Sequence, residues 1–269
     1  MNAFERWVDT ISATMQTPTL YGWFHLLFWG LVILLTTLLL VFLRDSDVRT
    51  ERRILLAVLL VMLLAECYKQ LVFSMEVEDG LAVWEYDWYY FPFQFCSTPL
   101  FVLPFAAFLP EGRVRSAALS FLAGYSLFAG LAVMVYPGDV FVETIGINLQ
   151  TMIHHGLQVV VGIYLAVRYR STPFLRKFLM SIPVFLLLLA VAILMNITMR
   201  ADGLNMFFVG PYVPTTLPIL SAIERRVPYA VFLAVYILGF TLAAFLTLLI
   251  VRAVAHLVAK GCGARPRSL

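Results

Sequence analysis

Several long apolar runs of this chain carry a small set of side chains able to do chemistry. Glu66, Lys69 and Gln70 stand at i, i+3 and i+4, a spacing that puts an acid, a base and an amide on one helical face. Gln94, Cys96, Ser97 and Thr98 share the next run; Asn148, Gln150, Thr151, His154, His155 and Gln158 share another; Asn196 and Thr198 close a third. Polar groups at membrane depth are costly and face a cavity or one another. Three uses fit these residue types: proton relay or solute transport through Glu66, Lys69 and the histidines, lipid binding without catalysis, or a network that only ties helices together. Adjacent residues on a helix differ by about 100°, so His154 and His155 cannot face the same point. His155 shares a stripe with Asn148, Thr151 and Gln158, and His154 shares one with Gln150 and Gln158. We favour His155, because Gly156 beside it permits close helix approach. Cys96, taken alone, reads as a small buried apolar residue, as free cysteines commonly are.

The elements that must position these groups follow from composition. The 269 residues are 62% hydrophobic and 13% charged, with mean hydropathy +0.90, against about 45–50% apolar and about 25% charged in a soluble domain. So much apolar surface belongs in lipid, where a helix needs roughly 20 residues to cross and must satisfy its own backbone. The expected fold is all-α: a polytopic membrane protein with seven transmembrane helices near 21–43, 53–75, 88–109, 114–135, 147–168, 177–198 and 227–251. Residues 1–20 are expected to form an amphipathic helix on the outer surface, 21–255 the membrane domain, and 256–269 a polar tail. The first apolar run is too long for a cleavable signal peptide. Cys67, Cys96 and Cys262 are too few and scattered for a disulfide framework, and Cys262 in the tail is a weak acylation candidate. Net charge is +3 with no basic block, which argues against nucleic-acid binding. No metal and no cofactor is expected.

Charge sets the orientation. Arg44, Arg49, Arg52 and Arg53, then Arg113 and Arg115, then Arg168, Arg170, Arg176 and Lys177, then Arg252, Lys260, Arg265 and Arg267 flank alternate connections. The opposite connections hold Arg6, Arg200, Arg225 and Arg226 and the acidic set Glu76, Glu78, Asp79, Glu85 and Asp87. Concentration of Lys and Arg on the inside gives N-terminus out and C-terminus in, with an odd number of spans. A short chain with little extramembrane mass fits a bacterial inner membrane. On this topology the polar residues of spans 2, 3, 5 and 6 share the outer half of the bilayer, which predicts a polar cavity open to the outer leaflet. Span 7 has no lysine for a Schiff base, which excludes a retinal protein. Pro92, Pro99 and Pro104 each tend to kink span 3. Residues 199–226, long and apolar, are expected to fold back as a re-entrant or interfacial lid over the cavity.

The motif order is an acid in Ala65-Glu66, then Pro92-Phe-Gln-Phe-Cys96, His155-Gly156, Asn196, and Gly203-Leu-Asn205 running on to Pro211. Over roughly residues 20–250 this order resembles the YwaF family of bacterial membrane proteins, distantly related to eukaryotic transmembrane acyltransferases that remodel phospholipids. The chain departs from the family pattern at Gln94, where histidine is usual, at Ala65, where asparagine is usual, and at Met206, where tyrosine is usual. The resemblance implies an acyltransferase whose Cys96 thiolate is the nucleophile and whose His155, or else His154, is the base. Membrane lipids would be the partners, as acyl donor and acceptor. Glu66 or Asn196 would fix the histidine tautomer, Lys69 or Gln94 would hydrogen-bond the oxyanion, and Gln158 and Asn205 would support the site. The competing readings remain a transporter or proton-coupled permease and a non-enzymatic lipid-binding or assembly protein.

Overall fold

A computed structural model describes residues 3–78, 81–138 and 140–261. Cys262, Asp79 and most of the expected tail lie outside the described residues. The first helix, α1 (Ala3–Ile11), stacks Phe4 on Trp7 at 5.7 Å on an exposed face and buries Val8. It does not fray: Tyr68 Oη donates to the Ile11 carbonyl (2.6 Å), and the chain beyond it pairs with residues 143–145 through Met15 N–H to Glu143 O (2.7 Å).

Among the described residues, five helices are long and apolar enough to cross a membrane. They are Trp23–Leu43 (α2, Trp23–Leu38, plus a π turn), α3 (Val48–Ser74), the rod Arg113–Val135, α8 (Phe174–Thr198) and α10 (Tyr229–Gly261). Asp47 starts α3 as its N-cap, accepting from Thr50 N–H at 2.8 Å, which satisfies one of the orphan donors of the first turn. α10 outruns the expected span and takes in residues 256–261 of the expected tail, because Val254, Leu257 and Val258 extend its apolar run. Between α3 and the next helix an antiparallel hairpin, β1 (Met75–Glu78) with β2 (Leu81–Trp84), breaks the all-α expectation locally.

The expected continuous helix over 88–109 is not there. A 3-10 turn (Trp88–Tyr90) is followed by irregular chain, a second 3-10 turn (Phe95–Ser97) and the short α4 (Pro99–Phe108). Ten residues of α-helix reach ~15 Å, about half the hydrocarbon core. Proline is the reason. Phe91 before Pro92 is extended, with ψ 134°, as the pre-proline clash favours, and Pro99 starts α4 at the position where its missing N–H costs nothing.

Two elements form the centre. The rod Arg113–Val135 comprises α5 (Arg113–Phe121), a π turn at Leu122–Ser126 and α6 (Leu127–Val135). It is 72% buried over its most apolar window, against 11% for the α2 segment. The 24-residue α7 (Ile145–Arg168) is buried almost throughout and carries the densest polar set. Its polar residues therefore face protein, and α2, α3, α8 and α10 present the outward apolar surface. α6 and α7 meet closely: a Cβ on Gly130 would lie 2.8 Å from the His155 carbonyl oxygen, and one on Gly162 would lie 2.6 Å from Leu127 Cβ. Gly156 faces α2, where an added Cβ would lie 2.9 Å from Val32.

Contacts sort the connections into two ends. At one end Arg168 donates to the Arg44 carbonyl, Arg52 to the carbonyls of Ala107, Phe108 and Leu109, and Arg252 to those of Arg170 and Thr172. At the other, Tyr21 donates to Val135, Tyr68 to Ile11 and Tyr229 to Val209.

Candidate functional site

The turn before Pro99 exposes carbonyls that a continuous helix would use. Thr98 Oγ1 takes that of Phe95 at 2.7 Å. The carbonyl of Cys96 accepts twice from α7, from His154 Nε2 at 3.0 Å and from Gln158 Nε2 at 2.8 Å. A residue and its i+4 neighbour on one helix face thus hold the half-buried Cys96 turn in place.

These bonds set the tautomers. A carbonyl only accepts, so His154 carries its proton on Nε2 and leaves Nδ1 bare. His155 Nδ1 lies 2.7 Å from the Thr151 carbonyl, which leaves Nε2 bare by the same rule. The two rings are 5.3 Å apart, near edge-on. Of the two histidines it is His154, not the favoured His155, that bonds to residue 96. His155 keeps the ring-tip nitrogen free. Four buried polar atoms around this turn have no protein partner: His154 Nδ1, His155 Nε2, Gln158 Oε1 and Tyr236 Oη. Buried polar groups are ordinarily paired, and each exception asks for an explanation.

Glu66 anchors a neighbouring group. Its Oε1 meets Lys69 Nζ and Gln70 Nε2, both at 2.7 Å, and its Oε2 meets Gln150 Nε2 at 3.4 Å. The i+3 and i+4 partners are the ones that helical spacing predicts. Gln150 stands one turn before His154 on α7, so its bond to Glu66 and the His154 bond to the Cys96 carbonyl join the ion pair and the Cys96 turn in one polar region between α3 and α7.

Three residues expected at the site serve a different purpose. Gln94 donates to Asn205 O at 3.0 Å and accepts from Phe207 N–H at 2.9 Å. Asn196 accepts from Met206 N–H at 2.6 Å and donates to Met206 O at 2.9 Å. Asn205 donates to Val213 O and accepts from Gly210 N–H. All three clamp the loop between α8 and α10: both polar atoms of Asn196 bond to Met206, and Gln94 gives its oxygen and one N–H to loop backbone. The tautomers are set by the Thr151 and Cys96 carbonyls instead. The clamped loop drives Leu204, Met206, Phe207 and Val209 into the core, with Phe207 against Phe95 at 5.6 Å. Phe207 and Phe208 both hold positive φ, 59° and 57°, a conformation that bulky residues avoid and that the surroundings must over-determine. The loop thus folds back into the bundle beside the Cys96 turn.

Two features escaped sequence reasoning. Tyr236 lies in the last apolar span, where residue type and spacing do not set it apart from its aromatic neighbours. At the opposite end, fully buried Glu51 binds Arg115 and Arg168 at 2.5 Å each and Tyr169 Oη at 2.8 Å. Its arginines had been read only as orientation signals. A narrow cleft of about 20 Å³ lined by Tyr169, Thr172, Lys177 and Arg252 opens at that end, away from Cys96.

Among known proteins, the model of the TMEM164 family matches residues 20–252, a stretch that contains every residue of the candidate site and omits α1. No curated protein and no solved structure matches.

Proposed function

This chain belongs to the TMEM164 family, and from that premise we propose that it is a membrane-embedded acyltransferase that moves acyl chains between lipids through Cys96. The observation that carries the reading is the Cys96 turn: a thiol in proline-bounded, non-helical backbone, pinned by His154 and Gln158, with a bare imidazole nitrogen of His155 one ring away. Non-helical backbone at membrane depth is tolerated where it is buried in protein or lines a cavity, and here it carries the nucleophile.

In the proposed cycle His155 Nε2 takes the Cys96 proton, and the thiolate adds to the carbonyl carbon of a lipid ester. The tetrahedral oxyanion collapses, the ester C–O bond breaks, and the leaving alkoxide takes the proton back from His155. An acceptor hydroxyl then gives its proton to His155 and attacks the thioester, which releases Cys96 as thiolate. Glu66 and Lys69 supply an ion pair on the neighbouring helix α3. His154 positions Cys96 through its backbone. The resemblance to the YwaF family, in the order of Glu66, Cys96, His155 and Asn205, supports the same reading.

The topology that goes with it is seven crossings, N-terminus out and C-terminus in, in a bacterial inner membrane. On this reading the five apolar helices, the buried α7 and the broken segment 88–108 count as the seven passes, and the arginine-rich end is taken as the inner one by the positive-inside rule. The test replaces Cys96 and His155 by Ala separately and measures cellular lipid composition and hydroxylamine-sensitive acylation of the protein. Loss of an acyl-exchange product in both variants at normal expression is expected; unchanged lipids in both would overturn the reading. One observation favours transport as a second reading. Buried charge stands at both ends, Glu66–Lys69 and Glu51–Arg115–Arg168. On that reading Glu66→Gln abolishes pH-linked uptake in proteoliposomes and leaves lipids unchanged.

A further inference from the structure

The oxyanion that forms when a thiolate adds to an ester needs a hydrogen-bond donor aimed at it. Several side-chain donors around Cys96 already hold an acceptor. His154 Nε2 and Gln158 Nε2 are spent on the Cys96 carbonyl. Gln94 Nε2 is spent on Asn205 O, and Lys69 Nζ and Gln150 Nε2 on Glu66. Thr98 Oγ1 is spent on Phe95 O. The amides and the Lys69 ammonium each keep a further N–H; set apart from them is the phenol of Tyr236 on α10. Its side chain is fully buried, its hydroxyl has no partner among the described residues, and its ring stands one aromatic neighbour away from Phe95, the residue before Cys96.

Packing fixes where this phenol sits. Tyr236 stacks on Phe240 with centroids 4.0 Å apart, and Phe240 in turn meets Phe95, the residue before Cys96, at 5.0 Å. Phe232, one turn earlier on α10, contacts it as well, at 6.5 Å. The ring is thus held between aromatic neighbours while its tip is left unpaired. An apolar span position could hold phenylalanine, and a buried hydroxyl with no acceptor costs stability. Such a cost is expected where a group is kept for a reaction rather than for the fold.

We propose that Tyr236 is a catalytic residue: its hydroxyl donates a hydrogen bond to the carbonyl oxygen of the acyl ester and to the oxyanion made when Cys96 Sγ adds to that carbonyl. The step moves one proton, from Sγ to His155 Nε2, and the carbonyl π pair becomes the oxyanion lone pair. Tyr236 keeps its own proton throughout. The substrate class is therefore a carboxylic ester whose carbonyl oxygen points at α10. The inference rests on the Cys96 acyl-transfer reading and adds the group that reading lacks.

The test uses the full chain in detergent and two reagents for the same thiol. A long-chain p-nitrophenyl ester acylates Cys96 through a tetrahedral oxyanion, whereas iodoacetamide alkylates it by direct displacement without one. Tyr236→Phe is expected to slow acylation about 100-fold, in the range for loss of one oxyanion donor. The alkylation rate stays unchanged and thermal stability is equal or higher, because no protein hydrogen bond is lost. Site-specific 3-fluorotyrosine at 236, a stronger donor of the same shape, is expected to restore acylation and covers the case of a poorly folded Phe variant. Acylation at the wild-type rate in Tyr236→Phe overturns the inference, and so does an equal slowing of acylation and alkylation, which is the signature of a displaced thiol. If Cys96→Ala leaves lipid acyl exchange intact, the acyltransferase reading fails instead, while the two-reagent comparison still decides whether Tyr236 serves an oxyanion at Cys96.

Discussion

A base must have a free lone pair, and this separates the two histidines at the residue scale. His154 spends Nε2 on holding Cys96, and His155 spends Nδ1 on its own helix while its ring tip stays bare. His154→Gln keeps an amide donor for the Cys96 carbonyl, so it is expected to retain acylation of Cys96 within about tenfold. His155→Gln removes the base and is expected to cost 10²–10⁴-fold, the usual range for a general base. Both are read by hydroxylamine-sensitive labelling of Cys96, and the reverse order would transfer the base role to His154. Residue types made this cluster visible in sequence, since Glu66, Lys69, Cys96 and both histidines stand out from Leu, Val and Phe. Their roles were not visible. Periodicity gave both histidines a polar stripe, and nothing in the order of residues said that Gln94, Asn196 and Asn205 would spend their amides on loop backbone. Tyr236 was hidden because an aromatic ring in a span looks the same whether or not its hydroxyl has a partner.

At the scale of elements, the site depends on how closely α6 and α7 approach and on how the loop before α10 is clamped. A Cβ on Gly130 would lie 2.7 Å from Gln158 Cβ as well as 2.8 Å from the His155 carbonyl. Gly130→Ala must therefore separate the two helices where they hold Cys96. The expected loss is ~1–3 kcal/mol, the range for overpacking, with slower acylation of Cys96. Gly239→Ala on α10 is the control, since an added Cβ there meets nothing within 4 Å, and it is expected to leave melting temperature unchanged. The loop offers a second check. Asn196→Ala strands the N–H and carbonyl of Met206 in the core, at roughly 1–3 kcal/mol for each buried group left unpaired. Thermal unfolding in detergent measures both. The helices themselves were legible from apolar run length, within a few residues for α2, α3, α8 and the Arg113–Val135 rod. Segment 88–109 was not, because hydropathy counts Pro92 and Pro99 as tolerable members of an apolar run. Backbone geometry makes them the boundaries of a half-length helix.

At the scale of the whole molecule, charge is distributed between two ends. Glu51 is fully buried and holds Arg115 and Arg168 from α5 and α7, so one carboxylate ties three elements at the arginine-rich end. Glu51→Gln leaves two arginines without their anion. Breaking a buried pair from one side costs ~3–5 kcal/mol, so this variant is expected to unfold at clearly lower temperature than wild type while acylation of Cys96 at the far end survives in the folded fraction. The same asymmetry fixes the proposed orientation. Lys and Arg gather inside, and the contacts of Arg44, Arg52, Arg115, Arg168 and Arg252 place them together at one end. Charge counting thus had the sorting of the loops in view even though it could not see Glu51. If that end is inner, exposed Glu85, just past the hairpin, faces out and exposed Arg49 faces in. In a chain with Cys67 and Cys262 changed to Ser, Glu85→Cys is expected to react with a membrane-impermeant maleimide in intact spheroplasts, and Arg49→Cys only after permeabilisation. The opposite pattern would invert the proposed topology and put Cys96 near the inner leaflet. Labelling of both before permeabilisation would mean an even number of passes between the two positions, which the seven-crossing reading forbids.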